Sequence, residues 1–242
     1  MKTSNILLSI AAVIFLSTMV AYDFRLKDQY LVMKSQGLEK YYKNKRFDGY
    51  KEAKVTSFSD IKLISANAMS VVIEHGEKQA VWVRKYDKER VSVLQKGNTL
   101  ILDLNKQRDT TFEYGDIVII SPQIKKISTT TFNFPEFSRK RYGMNFEISV
   151  NNLSQDSLAI IGSADTHFSF KKNKLKLLEA VIGDESGNGK LHVSSDNDIE
   201  SVKVNAKGKS TVELLDSGIK NIEHSFSDGA VVTFRGKILP KL

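Results

Sequence analysis

The second half of the chain repeats itself with a period near twenty residues, and that period restricts the fold more than any other feature. Leu158-Ala-Ile160, Leu178-Glu-Ala180, Val202-Lys-Val204 and Ile222-Glu-His224 follow one another in steps of 20, 24 and 20 residues. A second series, Phe168-Ser-Phe170, Leu191-His-Val193, Val212-Glu-Leu214 and Val232-Thr-Phe234, steps by 23, 21 and 20. The two stay in phase except in the second copy, whose three extra residues fall in the glycine-rich stretch from Gly183 to Gly189. Each copy offers two short alternating segments, apolar on one side, with a small polar turn between them. Twenty residues is the length of one coil of a β-helix. A single coil cannot bury its apolar side, but stacked coils make continuous inner columns. The expected columns are Phe168, Leu191, Val212, Val232 and Phe170, Val193, Leu214, Phe234.

An earlier, interrupted coil is expected upstream. Ile124 and Ile127 align with Ile199 and Val202, and Phe146-Glu-Ile148 aligns with Val212-Glu-Leu214. That alignment leaves about nine inserted residues near 132–143 (FNFPEFSRKRYG). The first half has no such repeat. It shows the apolar pairs Ile61 and Leu63, Val71 and Ile73, Val81 and Val83, Val91 and Val93, Leu100 and Leu102 in strand alternation. Turns separate them at Glu74 to Glu77, Tyr86 to Lys88 and Lys96 to Asn98. The fold class expected is all-β, a right-handed parallel β-helix or solenoid over 47–238.

The N-terminus is different. Ile6 to Tyr22 is a run of 17 residues without a charge. As a helix it rises about 26 Å, the short end of what crosses a bilayer. Cutting after Ala21 would put Met19 where a signal peptidase needs a small residue, so an uncleaved transmembrane anchor over 1–22 is favoured over a signal sequence. Residues 23–46 read as a charged stalk or linker, with Leu26, Tyr30 and Met33 at helical spacing. Arg25, Lys27 and Lys34 follow the helix and Lys2 precedes it. By the positive-inside rule alone this places the body in the cytoplasm.

The chain has no cysteine, which excludes disulfides, thiolate metal sites and cysteine nucleophiles. Its net charge of +8 favours anionic surfaces, but no nucleic-acid reader motif accompanies it. His75, His167, His192 and His224 are scattered. Nucleophile-elbow, phosphate-loop and dinucleotide motifs are absent. Asp184 to Gly189 has some calcium-loop oxygens, but Ser195 stands where a bidentate glutamate is needed. Asp196, Asp198, Asp216 and Asp228 sit in or beside turns, which explains them without catalysis. The sequence therefore points to no catalytic residue, cofactor or metal. The most binding-like feature is the insert and its surroundings: Lys125, Lys126, Phe134, Phe137, Arg139, Lys140, Arg141 and Tyr142. Arginine and lysine grip carboxylate or phosphate, and aromatic faces stack on sugar rings. The expected partner is an acidic glycan, an anionic lipid or another envelope protein.

The order of Phe58-Ser-Asp-Ile61-Lys-Leu63, Val71-Val-Ile73-Glu-His-Gly76, Lys96-Gly97-Asn98-Thr-Leu100-Ile-Leu102 and the glycine-punctuated repeats resembles the auto-transporter adhesin head, or GIN, domains of Bacteroidetes-type bacteria. The resemblance covers roughly 55–236, although Ser-Gly-Ser-Gly turns typical of that family are few. It implies a parallel β-helix behind a membrane anchor, with the body periplasmic or otherwise outside the cytoplasm. It carries over no catalytic residue. The function expected is a non-catalytic binding, adhesion or envelope-structural module. A polysaccharide-active β-helix enzyme and an envelope sensor are the alternatives.

Overall fold

The structure is a computed structural model that describes residues 2–36, 46–87, 90–104, 115–131, 146–185, 187–215 and 218–236. It divides into two compact units, 1–49 and 50–242. The first holds α1 (Lys2–Gln36). The helix runs through the apolar stretch and on past Asp23, Arg25, Lys27 and Asp28. Among the described residues no helix is long and apolar enough to cross a membrane. The expected transmembrane helix is thus a helix, but no span is shown; the 18 residues from Ile10 to Lys27 already take in Asp23, Arg25 and Lys27.

The second unit is built of strands. In chain order they are β1 (Tyr50–Ala53), β2 (Asp60–Leu63), β3 (Met69–His75), β4 (Ala80–Arg84), β5 (Val91–Lys96), β6 (Thr99–Leu104), β7 (Gly115–Ser121), β8 (Lys126–Thr129) and β9 (Ile148–Asn151). They continue with β10 (Ser154–Gly162), β11 (His167–Lys171), β12 (Lys174–Ile182), β13 (Lys190–Val193), β14 (Asp198–Ala206), β15 (Thr211–Leu214), β16 (Asn221–Phe226) and β17 (Val231–Phe234). They form two open sheets: β1-β4-β7-β3-β9-β11-β13-β15-β17 and β16-β14-β12-β10-β8-β2-β6-β5. We call these the nine-stranded and eight-stranded sheets. From β7 onward successive strands alternate between the two.

Both repeat series appear in the register. Leu158 pairs with Leu178, Leu178 with Val202, and Val202 with Ile222, all parallel. Phe168, Leu191, Val212 and Val232 do the same on the other sheet. The inner columns belong to one core with the first-half pairs, and Phe168, Phe170, Leu191, Val193, Val212 and Leu214 are all fully buried. The earliest copy is shifted from expectation. Ile127 pairs with Ile160, which puts it level with Val204 and not Val202. Ile148 pairs with Phe168 and so is level with Val212. A slip of two residues keeps the same side chains inward, so the apolar pattern alone could not detect it.

Two side-chain devices hold the turns from the nine-stranded to the eight-stranded sheet. Asn173 and Asn197 are buried and stacked. Asn197 Oδ1 accepts from the Asn173 backbone N–H and from its side chain, each at 2.9 Å. Asn173 accepts from Leu153 N–H at 3.0 Å and donates to the Val150 carbonyl at 2.8 Å. Asn152 and Lys172 occupy the left-handed region at φ 57 and 55 in consecutive turns. Asparagine tolerates that conformation far better than lysine.

The first half departs from the expected parallel helix. A four-residue turn after β3 sends β4 back antiparallel and leaves a slot between them, which β7 fills. Gly76 stands in that turn because any Cβ there would collide with the Ile120 side chain of β7. A two-residue turn containing Gly97 at φ 56 makes β5 and β6 an antiparallel hairpin. Turns this short permit only antiparallel return. β2 and β3, one on each sheet, precede β6 to β9 in sequence yet lie between β6/β7 and β8/β9 in sheet order.

Candidate functional site

Of the sequence-predicted site residues, the structure describes Lys125 and Lys126; Phe134, Phe137, Arg139, Lys140, Arg141 and Tyr142 lie outside the described residues. Both lysines are exposed where the chain enters β8. Lys126 lies level with Asp60 of β2 and Ala159 of β10. The entry is fixed by Gln155, whose side chain accepts from Ile124 N–H at 3.0 Å and donates to the Ile124 and Ser157 carbonyls.

The fold brings more lysines to this edge than sequence spacing suggested. β8 and β12 flank β10 on one sheet; Lys126 is level with Ala159 and, through it, with exposed Glu179 of β12, whereas Lys174 is level with Ser154, five positions earlier along β10. Lys171 ends β11, Lys172 stands in the turn that follows, and Lys174 and Lys176 begin β12; all four are exposed. They stand in the run KKNKLK at 171–176, which signals charge plainly enough. What the sequence did not reveal was its place two strands from Lys125 and Lys126. Lys176 pairs with Asp156 at 2.7 Å. On the next coil the charge turns acidic. Asp196 sits beside Lys172, and its carboxyl is held below the usual range first by the Ser194 hydroxyl that donates to it. The result is a lysine-rich face across β8 and the start of β12, interspersed with Asp60, Asp156 and Glu179. Such a face attracts phosphate or carboxylate groups without fixing a geometry for chemistry.

Two histidine–carboxylate pairs lie on the other sheet. His192 Nδ1 is 2.9 Å from Glu213, and His167 Nδ1 is 3.8 Å from Glu147. The His192 hydrogen bond holds Glu213 below the usual carboxylate range. Burial opposes ionisation of Glu147, but the Ser149 hydroxyl at 2.7 Å and the charges of His167 and Lys171 together pull it below that range. Burial pushes the His167 imidazole below its usual range, against the pull of Glu147. Each pair ties neighbouring strands together. Among the described residues no group of three or more His, Cys, Asp or Glu is arranged to hold a metal ion. The Asp184 stretch, with its partial calcium-loop pattern, is a turn whose Asp184 carboxylate accepts from Ala164 N–H at 3.3 Å.

No family model matches the chain, and no curated protein matches its sequence. Solved structures do resemble it. A putative adhesin from Bacteroides fragilis is 15% identical, covers 77% of this chain and 95% of its own, and superposes with a TM-score of 0.46. A putative adhesin from Parabacteroides distasonis is 13% identical over 77% and 95%, with a TM-score of 0.40. A protein from the same organism, named as a putative lipid-binding protein, is 9% identical over 78% and 96%, with a TM-score of 0.33.

Proposed function

We propose that this chain is a non-catalytic binding module, tethered by α1 to a membrane with its body outside the cytoplasm, and that its lysine edge receives an anionic partner. The body is read as a right-handed parallel β-solenoid with an antiparallel cap. In-phase pairing of successive repeats across two alternating sheets supports that reading. The observation that carries the binding reading is the exposed run Lys171, Lys172, Lys174 and Lys176 from the end of β11 into β12, with exposed Lys125 and Lys126 two strands away on the sheet that holds β12. The basic run Arg139, Lys140 and Arg141, which follows β8 in sequence, adds to the charge in this reading. The partner is a carboxylate- or phosphate-bearing surface, an acidic glycan or anionic lipid headgroups.

The tether rests on exposure. Val13, Ile14, Phe15 and Leu16 are 62, 59, 63 and 60% exposed, and these four consecutive residues cover every side of α1. A helix apolar all round is at home in lipid, not in water.

Binding is tested with the full chain in neutral detergent, on immobilised polygalacturonate and on anionic-lipid beads. Replacing Lys171, Lys172 and Lys174 with alanine should reduce retention well beyond the triple replacement of Lys54, Lys62 and Lys96. Equal reductions mean that net charge alone matters, and the edge is abandoned. Preference for one support separates glycan from lipid. The tether predicts that the chain stays in the membrane fraction through high salt and alkaline carbonate.

A further inference from the structure

The two ends of the stacked sheets are finished differently. At one end the parallel order stops against antiparallel strands, β4 and β1 on one sheet and β5 on the other. At the other end β16 and β17 are last in their sheets, each paired on one side only among the described residues. The inner columns that are fully buried through three coils surface there. Leu158, Leu178 and Val202 lead to half-buried Ile222, and Phe170, Val193 and Leu214 lead to half-buried Phe234. Ile160, Ala180 and Val204 lead to exposed His224, which stacks on Phe226 with ring centroids 4.8 Å apart. Open strand edges over an apolar layer invite pairing with another chain, and proteins usually blunt them with proline, a bulge or an inward charge. Neither β16 (NIEHSF) nor β17 (VVTF) has proline, glycine or an inward lysine or carboxylate.

The charges at this end suit a copy of themselves. Along the outer face, ladders of alternating sign climb the coils: Lys176 on Asp156 at 2.7 Å, Lys220 on Glu200 at 3.1 Å, and Lys203 on Glu223 at 3.1 Å. Each ladder finishes on a residue beside β16 with a partner on the inner side. A two-fold axis perpendicular to the sheets would set β16 antiparallel to its twin. With His224 opposite His224 of the second copy, the strand positions add to a constant. Ile222 then faces Phe226 of the copy, and Lys220, just before β16, falls near exposed Asp228 in the turn just after it, each twice. Apolar meets apolar, and basic meets acidic, in one register.

We propose that this end docks on a second copy of the chain, β16 against β16, by that two-fold. The interface is isologous, so it closes at two copies. It is independent of the anionic partner, whose edge lies on earlier coils.

The absence of cysteine makes the test direct in the full-length chain. Opposed residues in an antiparallel pair have Cβ atoms about 4.5–5.5 Å apart, near disulfide reach. His224→Cys in membranes or neutral detergent, mildly oxidised, should give a reducible pair at least about tenfold faster than Glu52→Cys at the opposite end, because docking raises the local concentration. Lys220→Asp in that background should slow the pairing, and adding Asp228→Lys should restore it, a rescue that a folding defect cannot imitate. Cross-linking of His224→Cys no faster than Glu52→Cys overturns the proposal. So does a chain that sediments as a monomer until it is truncated after Gly236, which would assign the end to residues 237–242.

Discussion

From β8 onward each strand finds its sheet neighbour one repeat away in sequence, whereas from β1 to β7 the neighbour in space is seldom the next element. The later region repeats because each repeat pairs in parallel with the equivalent strands of the next. Equivalent positions then need equivalent side chains, as at Phe168, Leu191 and Val212. In the earlier region β7 is wedged between β3 and β4, and β2 lies between β6 and β8. No two strands there share an environment, and no period survives. The difference teaches that repetition in sequence records repetition of neighbours, not of strands as such.

The same difference shows in how the loops are stitched. The later turns use stacked asparagines. The earlier half uses single long side chains that reach across: Gln79 accepts from Phe58 N–H at 2.9 Å and donates to the Phe58 carbonyl and to Ser121. Gln95 likewise accepts from Thr56 N–H at 2.8 Å and donates to the Ser57 carbonyl at 2.9 Å.

The largest expected effect tests whether the two regions share one core. Leu214→Asp should cost about 4 kcal/mol or more, since it places an unpaired charge in the buried column. Ile73→Asp in the earlier region should cost as much. Urea midpoints in neutral detergent measure both, and two separate transitions would break the single core into independent halves.

Removing a stitch comes next. Asn173→Ala should cost about 2 kcal/mol, because Leu153 N–H and the Val150 carbonyl lose their buried partner. Gln79→Ala strands Phe58 N–H in a part-buried site and should cost less, about 1 kcal/mol. The reverse order would show that the long side chains, not the asparagine stack, carry the turns.

Acid should separate the regions by sign. His167 is held below its usual range, so its contribution is complete above the ordinary histidine pKa of about 6.5 and is lost as pH falls below it. Glu147 and Glu213, also depressed, contribute above the ordinary carboxylate range and lose that contribution as pH falls further. In the earlier region, burial raises the Asp87 carboxyl above its usual range. The folded state there binds the proton more tightly, so Asp87 lowers stability as pH rises through that window. Asp87→Asn should therefore steepen the gain in stability between about pH 4 and 6, whereas His167→Gln should flatten it near neutrality. Thermal midpoints against pH read both slopes.

The smallest expected effect is a gain. Lys172→Gly relieves a left-handed lysine and should add about 0.5–1 kcal/mol. If stability rises while retention on anionic supports falls, the strain at Lys172 belongs to binding.

By itself the sequence determined the apolar pairs of β2 to β6, their inward faces and the pairing of the last four repeats, while β1 and β7 went unread. Those depend on local alternation and on a period that neighbouring coils impose on one another. It placed three extra residues in the loop from Gly183 to Gly189, where the chain does leave β12 before β13. Tertiary structure decided the remainder. The two-residue slip at Ile127 and Ile148 preserves every inward face, so hydrophobic pattern could not choose between registers. The wedge of β7 and the insertion of β2 and β3 into the stack depend on which distant edges are open, information that alternation does not carry. Tertiary structure also put Lys126 and Lys174 on one sheet, two strands apart because β8 and β12 flank β10, although nearly fifty positions separate them in sequence.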